Sequence, residues 1–234
     1  MASRSWSRPD KRHIVVYGRG DKVPEGDAKH IKINATSKSA DEWSRGLSPF
    51  FLGPVRVVLD DDHAYDVVCF ENAWQYSKVY ACHTDGNGDP TEEYFEWAEA
   101  GFANPSPVRF PMGKGAIPEY SLHRGEKLGY VEARIRIYCP LYAAAVVETD
   151  AFDRLAGMYA DALEADQTLL IFDFDGHNSL PALNDYSQII YNTRRKLGHA
   201  FVLAMLLQNV RVWEDGYDPS LVHQTPIPRR KLRK

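Results

Sequence analysis

Residues 70–83, FENAWQYSKVYACH, constrain this chain more than any other stretch. Phe70, Ala73, Trp74, Ser77 and Ala81 recur at helical spacing, which predicts an amphipathic helix with one face on a core. Beside that apolar stripe, Glu71, Gln75 and Lys78 stand at i, i+4 and i+7, so a carboxylate, an amide and an ammonium are aimed the same way within two turns. On periodicity alone this second stripe is a solvated face, with side-chain pairs worth roughly 0.2–0.5 kcal/mol.

Short β-rich runs surround the helix. Residues 14–17, 31–33, 55–59 and 169–172 read as strands, and residues 65–69 pair with 55–59 as a hairpin across the strand-ending Asp60-Asp61-Asp62. Between them, Leu47-Ser48-Pro49-Phe50-Phe51-Leu52-Gly53-Pro54 is an apolar loop that its two prolines stiffen. Further helices are expected as a turn at 39–45, from Thr91 through Ala100, over 126–138, and from Pro140, which breaks that helix, through Glu148. Two more follow: one from a Thr149 or Asp150 cap through Leu163, and a long one over 187–208. Residues 84–90 form a loop, and the Gly- and Pro-rich stretch 101–124 an ordered surface excursion. The fold class predicted is α+β, predominantly helical, a single domain with a few short strands, for which 234 residues suffice. Residues 1–30 read as a partly disordered extension, 31–215 as the domain and 216–234 as a basic tail.

A net charge of -4 excludes a general nucleic-acid coat, which needs a strongly basic surface. One local exception is Arg229-Arg230-Lys231-Leu232-Arg233-Lys234, read as a solvated tail with at most a weak nucleic-acid contact. The three cysteines, Cys69, Cys82 and Cys139, fit neither a zinc site nor a disulfide framework and read as reduced, partly buried thiols. With no apolar run near 18 residues and no signal peptide, the expectation is a cytoplasmic protein without a membrane partner, in a bacterium or a phage-infected one.

Asp173-Phe174-Asp175-Gly176 follows an apolar strand and resembles the nucleophile motif of haloacid-dehalogenase-type phosphatases. The 58 residues after it cannot build the domain that motif requires, yet either carboxylate can serve as acid or base. The eight histidines show no metal-ligand spacing, and the acidic triplet 60–62 is most simply a turn, so no metal and no cofactor are expected. Lys114 between Gly113 and Gly115 is no phosphate loop, though it can bring a cation to a phosphate.

The order of these segments resembles the NADAR (YbiA-like) family over residues 31–208. Leu47-Ser48-Pro49-Phe50 resembles the family's early loop, and Glu71, Trp74, Gln75 and Lys78 sit in the spacing of its Glu-x-x-aromatic-Gln-x-x-Lys helix. Residues 134–142 are similar to its middle helix, 151–163 to the short helix after it, and Leu197-Gly198 to the Leu-Gly of its last helix. The family's Trp-Gly-x-Gly segment is absent, with Asp173 to Gly176 near its place, and the insertions at 84–90 and 101–124 are longer. A phage-type offshoot of the family would share these features.

The resemblance implies hydrolysis of a ribosyl N-glycosidic bond in a nucleotide or an ADP-ribosylated base. Such a reaction passes through an oxocarbenium-like sugar cation. Glu71 is then the carboxylate that stabilises it or activates water, with Asp175 as a second acid or base. Lys78, Arg45 and Lys114 would hold phosphate, Trp74 or Trp43 would stack on the base, and Ser48 and Gln75 would complete the site. Trp74 also lies on the apolar face, where core packing is its simpler role. The partner implied is a nucleotide or ADP-ribose-type small molecule. Two alternatives stand beside the hydrolase: a non-catalytic module for a nucleotide or modified nucleic acid, and a phage-type transferase in DNA modification.

Overall fold

A computed structural model of the chain describes residues 13–178 and 185–222. The expected disorder at 1–12 and the basic run 229–234 lie outside the described residues. The fold is mixed α and β, with helices outweighing a few short strands.

Three parallel strands frame the candidate site. β1 (Ile14–Tyr17), from the stretch read as an extension, and β2 (His30–Asn34) flank a central strand, β8 (Thr168–Phe172). Leu169, Leu170 and Ile171 are all buried, so β8 is covered on both faces, as its unbroken apolar run requires. Between β2 and β8 the chain builds α1 (Glu42–Arg45), the hairpin β3 (Val55–Val58) and β4 (Ala64–Val67), α2 (Phe70–Tyr76), β5 (Lys78–Val79) and α3 (Glu92–Ala103). Then follow the hairpin β6 (Tyr120–His123) and β7 (Glu126–Leu128), α4 (Tyr130–Ala133), α5 (Cys139–Val146) and α6 (Asp150–Glu164). After β8 come α7 (Tyr186–Ile190) and α8 (His199–Leu207). α8 is apolar and buried from His199 to Met205, the pattern of a helix inside a core, and packs on β1 and α5. α6 packs on β8 and α1, with Thr149 Oγ1 accepting from Phe152 N at its start, the cap expected there.

Five expectations are corrected, some by local bonds and some by contacts distant in sequence. The helix predicted over 70–83 stops at Tyr76. Ser77 donates its hydroxyl to Ala73 O at 2.6 Å, and Lys78 then enters β5 opposite Ser121 of β6. The helix predicted from 126 begins only at Tyr130, because β7 pairs with β6 across Arg124 and Gly125, both left-handed as a tight hairpin demands. Strand β6 thus lies inside the stretch expected to be a surface excursion.

Pro140 does not break the chain direction. Residues Arg134–Tyr138 form a π turn in which Cys139 N bonds Arg134 O, five residues back, and α5 continues with Pro140 in its first turn. The long helix expected over 187–208 is divided into α7 and α8 by a loop at 191–198. Arg134, 1% exposed, holds the loop at this division: its Nη1 donates to Ile190 O (3.1 Å) and Asn192 O (2.8 Å), and its Nη2 to Arg195 O (2.6 Å). These three bonds tie the loop between α7 and α8 to the π turn.

Candidate active site

α2 is not the half-solvated helix that periodicity suggests. Phe70, Glu71, Asn72, Ala73, Gln75 and Tyr76 are all buried, and Glu71 is 7% exposed. Its N-terminus has no Ser or Asp cap. Instead the stiff loop before it supplies carbonyls, Phe70 N donating to Leu52 O at 2.8 Å and Glu71 N to Pro49 O at 3.1 Å. The Leu47–Pro54 loop and the Glu71 helix are therefore one unit. Ser48 is buried in it, its Oγ a weak acceptor for Phe50 N at 3.4 Å.

Glu71, Gln75 and Lys78 do converge. Gln75 Nε2 donates to Glu71 Oε1 at 2.8 Å, and Lys78 Nζ donates to Gln75 Oε1 at 2.7 Å. Lys78 reaches this position from the start of β5, with Nζ 4.6 Å from the centre of the Trp74 ring. Trp74 meets Tyr138 edge-on at 5.2 Å, so one ring is both core contact and platform for the ammonium. Burial raises Glu71 above the ordinary carboxylate value, against the opposing pull of the Gln75 hydrogen bond and the Lys78, Arg109 and His199 charges. Burial likewise lowers Lys78 to about 8, although Glu71 opposes the shift. A lysine held there is partly neutral near pH 8 and suited to proton transfer as well as to anion binding.

The second half of the site stands at the carboxyl end of the parallel strands, where open α/β sheets place their ligand crevice. Asp175 Oδ2 accepts from Arg109 Nη2 at 3.0 Å, and Lys196 Nζ lies 3.9 Å from Asp175 Oδ1. The phenyl ring of Phe110, 45% exposed, lies 5.5 Å from the Arg109 guanidinium and 6.0 Å from the Lys196 ammonium. Arg109 also acts on Glu71 and Lys196 on Lys78, which ties the two halves into one electrostatic unit. Asp173 does not face this cluster. It is buried beneath it, accepting from His199, from Ala200 N and, at 3.1 Å, from Asp175 N.

Sequence reasoning missed Arg109, Lys196, His199 and Asn72. Asn72, fully buried, donates Nδ2 to Asn104 O (2.8 Å) and Ser106 O (3.0 Å) and accepts from Val108 N (2.8 Å). α2 therefore fixes the segment that delivers Arg109. An asparagine between Phe70 and Ala73 on a core helix was the one signal available for it.

Three further candidates have surroundings of their own. Trp43 packs on the core and is covered by the Arg154 guanidinium at 4.6 Å. Arg45 ends α1 with its Nε–H buried and unpartnered. Lys114 is exposed between two left-handed glycines. A groove of about 680 Å³ exists elsewhere, lined by His123, Arg124, Glu132, Arg136, Trp213 and Tyr217 among others, and holds none of the sequence candidates. Cys69 and Cys139 are buried, Cys82 is exposed, and all three are free. No helix among the described residues is long and apolar enough to cross a membrane. Comparison with protein-family models, with curated proteins and with solved structures finds no match, and the chemistry of the site rests on its own residues.

Proposed function

We propose that this chain is a NADAR-like N-glycosidase that hydrolyses the bond between a ribosyl anomeric carbon and a base nitrogen in a nucleotide or an ADP-ribosylated base. The observation that carries the reading is the buried Glu71 carboxylate bound through Gln75 to Lys78, with Arg109 and Lys196 beside them. As the carbon–nitrogen bond breaks, its electron pair leaves with the base and positive charge grows on the sugar. A carboxylate shielded from water opposes that charge more strongly than a solvated one. Glu71 then takes a proton from the water whose oxygen attacks the anomeric carbon, the departing base nitrogen takes one from solvent, and Glu71 returns its own to solvent, so that one water is consumed in all. Lys78, Arg109 and Lys196 provide the positive field for the phosphates of a nucleotide, and Phe110 an exposed ring for a base.

The test is release of free base, followed by chromatography, from an ADP-ribosylated guanosine and from a phosphorylated ribosyl pyrimidine. Turnover by the native chain and none by Glu71→Gln is expected. Wild-type turnover by Glu71→Gln removes Glu71 from the mechanism.

One observation favours a binding module as the second reading. Asp175 is taken up by Arg109 and Lys196, which leaves Glu71 as the carboxylate in the cluster without a cation in direct hydrogen-bond contact. That reading predicts thermal stabilisation by the same compounds and their recovery unchanged after long incubation.

A further inference from the structure

We propose that His199 is an imidazolium at neutral pH that positions Asp175 and supplies a buried positive charge beside Glu71. With Asp173 ionised, as its two backbone N–H donors favour, no other protonation state satisfies both ring nitrogens. Nδ1 lies 3.0 Å from Asp173 Oδ2, a carboxylate, and Nε2 lies 2.8 Å from Ala35 O, a carbonyl. The carbonyl accepts only, and an ionised Asp173, which also accepts from Asp175 N and Ala200 N, accepts only, so both nitrogens then carry hydrogen. Beside an ionised Asp173, a neutral ring would set one lone pair against an oxygen at hydrogen-bond distance in a site where His199 is 6% and Asp173 4% exposed.

The pair joins three chain segments at one point. Ala35 follows β2, Asp173 follows β8, and His199 opens α8, whose Ala200 N also donates to Asp173 Oδ2 at 3.1 Å. Asp173 Oδ1 then accepts from Asp175 N, which fixes the turn that aims Asp175 at Arg109. Close packing of Gly198 is part of the arrangement, since a Cβ there would stand 2.4 Å from Asp173 Oδ2. Burial alone would lower the His199 value, but Asp173 and the Ala35 carbonyl together raise it above the ordinary histidine range.

The groups facing His199 are Asp173 from the strand end, Glu71 from α2 and the Tyr142 ring from α5, at 5.7 Å. Those acting on Glu71 are Gln75, Lys78, Arg109 and His199. With the charge on His199 present, Glu71 stays ionised down to a lower pH than burial alone permits. His199 is a positioning residue, and that role rests on Glu71 as the reacting carboxylate. Its charge state does not.

The experiment needs no substrate. Nitrogen-15 NMR of the full chain at about pH 7 is expected to show two protonated ring nitrogens for His199. A neutral ring at that pH overturns the proposal. In His199→Gln, carbon-13 NMR of the Glu71 carboxyl is expected to show its titration moved upward by roughly one pH unit, as loss of a nearby cation requires. A folded variant with an unmoved Glu71 titration also overturns it. Should the variant not fold, the native spectrum still decides the charge. Failure of either measurement is distinct from failure of the glycosidase reading, which base release alone tests.

Discussion

The Gln75 side-chain amide donates to Glu71 Oε1 at 2.8 Å, one helical turn away and out of contact with bulk water. Gln75 therefore holds the orientation of the carboxylate while leaving its second oxygen for chemistry. Substituting Glu71 by glutamine keeps an acceptor at the same place, so the Gln75 contact survives. Glu71→Gln should unfold within about 1 kcal/mol of the native chain, measured by denaturant titration, and lose at least roughly 100-fold in kcat. A large loss of stability would mean that the charge holds the fold rather than the reaction.

Lys78 gives the site an alkaline limit. Its folded value of about 8 means that its charge, and with it anion binding, falls as pH rises through that point. Acylation of Lys78, followed by peptide mass spectrometry, should reach half its maximal rate near pH 8, whereas an ordinary lysine does so near about 10.4. Activity should decline over the same range, and an activity that is flat across it would show that the Lys78 charge is not needed.

Asn72 is predicted to act on function through Arg109. Asn72→Leu leaves Asn104 O, Ser106 O and Val108 N without their partner. It should lower stability by about 3 kcal/mol, since unsatisfied buried groups are the expensive kind. Hydrogen exchange across residues 104–109 should quicken before the rest of the chain. Uniform quickening would place Asn72 in the core alone.

The Asp173–His199 pair sets a pH window for stability. Asp173 lies below its ordinary 3.8: burial pushes it up, but His199 and the backbone donors more than reverse that. Its contribution is complete above 3.8 and is lost as pH falls through the lower folded value. His199 lies above its ordinary 6.5, so its contribution is complete below 6.5 and is lost as pH rises through the higher folded value. The melting temperature of the native chain, less that of an Asp173→Asn, His199→Gln double variant, should therefore peak between 3.8 and 6.5. A difference that kept rising well into the alkaline range would contradict the direction of the His199 shift.

Local chemistry was legible where neighbours in sequence are neighbours in space. Periods and caps point to Glu71 and Gln75 on one helical stripe, to a hairpin across residues 60–62 that the structure forms between 55–58 and 64–67, to a Thr149 or Asp150 cap that proves to be Thr149, and to a buried strand at 169–172. Each of these signals spans only a few residues. Contacts distant in the chain settle the rest. Lys78 reaches Gln75 from a strand rather than a third helical turn, and Arg134 holds the loop that divides the final helix. Asn72 brings Arg109 to Asp175 across 66 residues, and His199 lies under them. One cause is common to Arg134, Asn72 and His199. A buried side chain that claims a distant backbone carbonyl or amide competes with the local i→i+4 bond, and which partner wins depends on packing that no local period encodes.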